Sequence, residues 1–143
     1  TNQAELMNHM FYTFKGQVEG LQHWNVSNVL DFGWMFAWSS VDLTSRFASS
    51  LHMWDPHNAE IMESMFHSFE GQVTGLSTWN VSKVSVFNAM FTSTRIDLTE
   101  ASNNSLRDWK VQKGEHMSEM FMNFRGNVTG LDHWDVTHVK RFR

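Results

Sequence analysis

Apolar positions recur along this chain in short blocks separated by polar turns. In the block from Glu60 to Phe69, Met62, Met65, Phe66 and Phe69 stand at i, i+3, i+4 and i+7. That is the spacing of one helical face, and it predicts a short helix. Gly71 follows and reads as its stop. Val73-Thr74-Gly75-Leu76 then alternates, as a brief strand does. The segment Trp79-Asn80-Val81-Ser82 reads as a turn, with Asn80 or Ser82 placed to satisfy backbone groups entering the next helix.

The block repeats. Met-Phe occurs at Met10-Phe11, Met35-Phe36, Met65-Phe66, Met90-Phe91 and Met120-Phe121, in steps of 25, 30, 25 and 30. Trp24, Trp54, Trp79, Trp109 and Trp134 form a second ladder with steps of 30, 25, 30 and 25. Two independent ladders in the same alternation define a 55-residue period built from a short and a long unit. A single unit cannot bury its own apolar face, whereas stacked units share a continuous core.

The fold class expected is therefore an α/β repeat solenoid, leucine-rich-repeat-like. It has about five stacked coils of 25 or 30 residues, each a short helix plus a short parallel strand. The coils run about 4–28, 29–58, 59–83, 84–113 and 114–138, within a single domain spanning 1–143. Residues 139–143 open a truncated sixth coil or a cap: Val139 matches Val29 and Val84, which puts Phe142 at the core position of Phe32 and Phe87.

Composition narrows the function classes. The net charge is −4, and the only basic grouping is Lys140, Arg141 and Arg143 at the end. Nucleic acid is a poor partner for such a surface, because phosphate binding needs a concentrated basic face. No apolar stretch is long enough to span a bilayer, so the reading expects no membrane insertion by this segment. The chain has no Cys, which excludes disulfides and thiolate chemistry. Its eight His lack metal-ligand spacing; His23 and His133 share a column but lie four coils apart, about 19 Å. No calcium loop, nucleophile elbow or phosphate loop occurs. The expectation is no metal, no cofactor and no catalysis.

The pattern Leu-x-x-Trp-Asn-Val-Ser-x-Val-x-x-Phe/Met-x-x-Met-Phe resembles the BspA-type repeat, best from Leu21 to Phe36 and from Leu76 to Phe91. Lys110, Gln112 and His57 depart from it. The resemblance implies a right-handed α/β solenoid displayed outside the cell, on surface proteins and lipoproteins of bacteria and some protists, with roles in adhesion or host contact. It implies no catalytic residues and nominates no binding site. On this reading the domain is excised from a longer surface protein.

Residues that break the repeat are the candidates for function. Trp34 aligns with His9, Ser64, Ala89 and Glu119, and Trp38 with Thr13, Ser68, Ser93 and Asn123. A helical wheel turns both away from the Met-Phe direction, as an exposed pair at i, i+4. Tyr12, one coil earlier, occupies another outward column. Exposed aromatics mark binding surfaces; packing within the chain or between subunits is the other reading. The long units carry insertions at 45–50 and 100–105, either a binding edge or plain surface loops, and Arg46 and Phe47 stand in the first. The leading expectation is a non-catalytic cell-surface adhesion or recognition module, binding a glycan or a protein on another cell through Trp34, Trp38, Tyr12, Arg46 and Phe47. The alternative is a structural spacer or a homo-oligomeric fibre segment, with the aromatic pair buried between subunits.

Overall fold

The computed structural model describes residues 4–141. Among them there is no α-helix and no β-sheet. The elements are six 3₁₀ turns, Leu21–His23, Ser45–Phe47, Leu51–Met53, Leu76–Thr78, Glu100–Ser102 and Leu131–His133, and isolated parallel bridges. One line of bridges runs through Leu6, Asp31, Ile61, Val86, His116 and Arg141. A second joins Leu43 to Val73 and Leu98 to Val128. The expected α/β solenoid is thus overturned: the repeats stack, but each is built of turns.

The backbone hydrogen bonds show why no helix forms. In a helix each N–H donates within its own segment, four residues back. Around Met35-Phe36 the amides alternate instead. Phe32, Trp34, Phe36 and Trp38 donate to the carbonyls of Ile61, Glu63, Met65 and His67 in the next repeat, at 2.9 to 3.0 Å. The amides between them close tight turns, Met35 to Phe32, Ala37 to Trp34 and Ser39 to Phe36. The Met10 and Met65 segments follow the same scheme.

This double turn requires two left-handed residues, one before Met and one two after Phe. They are His9 and Thr13, Trp34 and Trp38, Ser64 and Ser68, Ala89 and Ser93, Glu119 and Asn123, with φ between 53° and 61°. Such residues are strained without glycine, and the hydrogen bonds to the neighbouring repeat offset that strain. The double turn also points Met62, Met65, Phe66 and Phe69 inward, all buried. The i, i+3, i+4, i+7 spacing is therefore shared by this conformation and the helix.

Stacking produces continuous ladders in the core. Phe11, Phe36, Phe66, Phe91 and Phe121 stack in near-parallel pairs with centroids 5.5 to 5.9 Å apart. Trp54, Trp79, Trp109 and Trp134 stack at 6.2, 6.4 and 6.5 Å. Each of these four indole N–H groups donates to a leucine carbonyl one repeat back: Leu21, Leu51, Leu76 and Leu106, at 2.8 to 2.9 Å. The ladder thus buries large rings with these four indole donors satisfied, the condition for burying tryptophan cheaply.

Three local expectations are corrected or refined. Gly71 is not a helix stop: a Cβ there would collide with the Val41 carbonyl, and one on Gly126 with that of Ile96. Both glycines let the short unit approach the long unit before it. The predicted strand through Val73 reduces to single bridges. Asn25, Asn80 and Asp135 cap turns rather than helices, each accepting from the amide two residues on at 3.0 to 3.1 Å. Val139 packs half-buried against the core, whereas Phe142 lies outside the described residues.

Candidate functional site

The outward face of the double turn is set by its left-handed residues. Trp34 and Trp38 occupy both left-handed positions of the second repeat. They face outward because of the turn, and the helix that the wheel assumed is absent. Trp38 is 45% exposed and Tyr12 43%, while Trp34 is half-buried.

The cover over Trp34 comes from its own chain. His9, in the same column of the first repeat, lies parallel to the indole at 6.1 Å. Tyr12 meets both rings edge-on, at 5.5 Å from His9 and 6.1 Å from Trp34. From the third repeat His67 stacks on Trp34 at 5.6 Å and tilts against Trp38 at 5.8 Å. The result is one ledge across three repeats, Tyr12–His9–Trp34–His67–Trp38. Ala37 and Ser64, the small residues between these rings in the alignment, are buried. Trp34 is the anchor of the ledge, and Tyr12 and Trp38 are its open faces.

His9 and His67 were not anticipated from the sequence. The alignment held the signal: His9 shares Trp34's column, and His67, following Phe66 as Tyr12 follows Phe11, shares Tyr12's. A wheel of 100° per residue obscured it, because it describes one helix and the ledge is made between repeats.

Arg46 and Phe47 belong to a different part of the surface. They form the 3₁₀ turn Ser45–Phe47 in the first insertion, with the Arg46 guanidinium carbon 5.2 Å from the Phe47 ring centre. Phe47 is half-buried and Arg46 exposed. The insertion is tied down: Gly20 donates to the Phe47 carbonyl at 3.1 Å and Gln22 to that of Ala48 at 3.0 Å. In the second insertion Asn103 accepts from Ser77 at 3.0 Å. Beneath each lies a buried polar side chain. Ser49 Oγ donates to the Val18 carbonyl at 2.9 Å. Asn104 donates to Val73 at 2.7 Å and Asp97 at 2.9 Å, and accepts from Leu76 at 3.1 Å. The insertions are structural members of the stack rather than free loops.

The chemistry of the ledge is that of ring faces and imidazole edges. Among the described residues no group of three or more His, Asp or Glu could hold a metal ion, and no helix is long and apolar enough to cross a membrane. The ledge offers flat apolar area bordered by polar edges, suited to stacking.

A family profile described as "Mycoplasma protein of unknown function, DUF285" matches residues 1–96 and, in an overlapping second match, 41–143. No curated protein and no solved structure matches the chain.

Proposed function

The chain belongs to the DUF285 family, and from that premise we propose that it is a non-catalytic recognition module that binds a glycan on another cell through the ledge. Within the family we read its repeat as the BspA-like type, on the strength of the Leu-x-x-Trp-Asn-Val-Ser segments at Leu21 and Leu76. That reading carries with it a position outside the cell.

The observation that supports recognition is Trp38: a large ring left 45% exposed and held from behind by His67. Every aligned residue in that column is small or polar, so the fold does not require tryptophan there. Burying an exposed indole against a sugar face gains area at low conformational cost. Arg46 and Phe47 pair with each other and contribute less to this reading than the sequence suggested.

The test is a glycan array with the wild-type chain and Trp38→Ala. Binding that disappears in the variant, with an unchanged circular dichroism spectrum, is expected. Equal binding by both proteins would remove Trp38 from the site. An oligomer that does not dissociate on dilution, with Trp38 shielded from quenchers, would favour the spacer or fibre role instead.

A further inference from the structure

A second surface lies along the same edge. Two residues beyond the Trp38 column in each repeat stand Lys15, Ser40, Glu70, Arg95 and Arg125. The amide of Glu70 donates to the Ser39 carbonyl at 2.9 Å and that of Arg125 to Thr94 at 2.8 Å, which seats these side chains one repeat apart. Arg95 and Arg125 therefore stand side by side. With Ser93, Asn123, Phe69 and Glu70 they line an open cleft of about 620 Å³.

The charges in this column do not cancel. Glu70 Oε2 lies 3.3 Å from Lys15 Nζ, so its carboxylate already has a cation. Neither guanidinium forms an ion pair among the described residues. Three cations thus face one carboxylate, on a chain whose net charge is −4. Paired guanidinium forks match the planar oxygens of a carboxylate or the oxygens of a sulfate. Ser93 and Asn123 add a hydroxyl and an amide at the left-handed positions of their turns.

We propose that this cleft is an anion subsite, and that it gives the recognition surface a preference for acidic sugars, those bearing a carboxylate or sulfate. The inference rests on the reading of the ledge as a glycan platform. Trp38 and Ser93 share one column and are two repeats apart, about 10 Å at the strand spacing. A short oligosaccharide stacked on Trp38 can therefore place an acidic group between Arg95 and Arg125.

Calorimetric titration of the full chain with sialyllactose, sulfated lactose, lactose and inorganic sulfate tests this, alongside Arg95→Gln/Arg125→Gln and Trp38→Ala. Both arginines are exposed, so the double variant is expected to fold, and its thermal transition verifies that. The acidic sugars are expected to bind about tenfold or more tighter than lactose, and less tightly as salt is raised. The double variant is expected to bind them no better than lactose. A difference between sialyllactose and sulfated lactose assigns the acidic group. Equal binding of lactose and acidic sugars, lost in Trp38→Ala, would overturn the anion subsite and leave the ledge as a glycan site. Undiminished acidic-sugar binding by the double variant would also overturn it, and inorganic sulfate binding as tightly as the acidic sugars would overturn the preference for acidic sugars. Failure of every sugar to bind the wild type would overturn the glycan reading along with it.

Discussion

Replacing Gly71 with alanine would set a Cβ in steric overlap with the Val41 carbonyl oxygen, 3.0 Å from its carbon and 2.7 Å from Phe69 Cζ. The phenyl ring can turn aside; the carbonyl belongs to the backbone of the preceding repeat and cannot. Moving it strains the bonds beside it, Leu43 to Gln72 at 2.7 Å and Thr74 to Leu43 at 3.1 Å. Overpacking costs about 1–3 kcal/mol, and each hydrogen bond loosened adds about 1 kcal/mol. The total expected is about 3–5 kcal/mol, or a fall in Tm of about 10 °C or more for a chain of this length. The control is within the molecule. At Gly16 a Cβ meets only the Phe14 ring, at 2.7 Å, so Gly16→Ala is expected to cost less than about 1 kcal/mol. Thermal unfolding followed by tryptophan fluorescence measures both. Similar small losses at the two positions would refute the close approach and restore Gly71 to an ordinary turn residue.

Three further outcomes are expected. Asn104→Ala strands the Val73 carbonyl and the Leu76 amide in the core, and urea unfolding should show a loss of about 2–4 kcal/mol; a loss under 1 kcal/mol would mean that the insertion is not held from beneath. Trp38→Ala should change stability by no more than about 1 kcal/mol, whereas Trp34→Ala, which removes the ring that His9, Tyr12 and His67 pack on, should cost more by the same assay. Glu115 is held below the usual carboxylate range by its hydrogen bond to Lys140 and then by the charge of Lys140. Its stabilising contribution is present in full above the ordinary carboxylate pKa and lost as pH falls through the lowered folded value. An acid titration of Tm should therefore be shallower in Glu115→Gln, and an unchanged slope would refute the linkage.

The sequence by itself determined the repeat, its alternation of 25 and 30 residues, and which side chains point inward. Met62, Met65, Phe66 and Phe69 were readable as one buried face, and Trp79 as a member of a ladder, because burial selects residue type wherever the backbone puts it. Trp38 was also readable, as the one large ring in a small or polar column. What tertiary structure decided was the local conformation. The apolar spacing of the Met-Phe block fits a helix and a left-handed double turn equally, and the choice depends on where alternate amides donate. Their acceptors, such as the carbonyls of Ile61, Glu63 and Met65 for the second repeat, are nearly 30 residues away, so no window of sequence contains both partners. The same holds for the ledge and the cleft. His9, Trp34 and His67 meet, and Arg95 stands beside Arg125, only because stacking brings columns from successive repeats to within reach of one another.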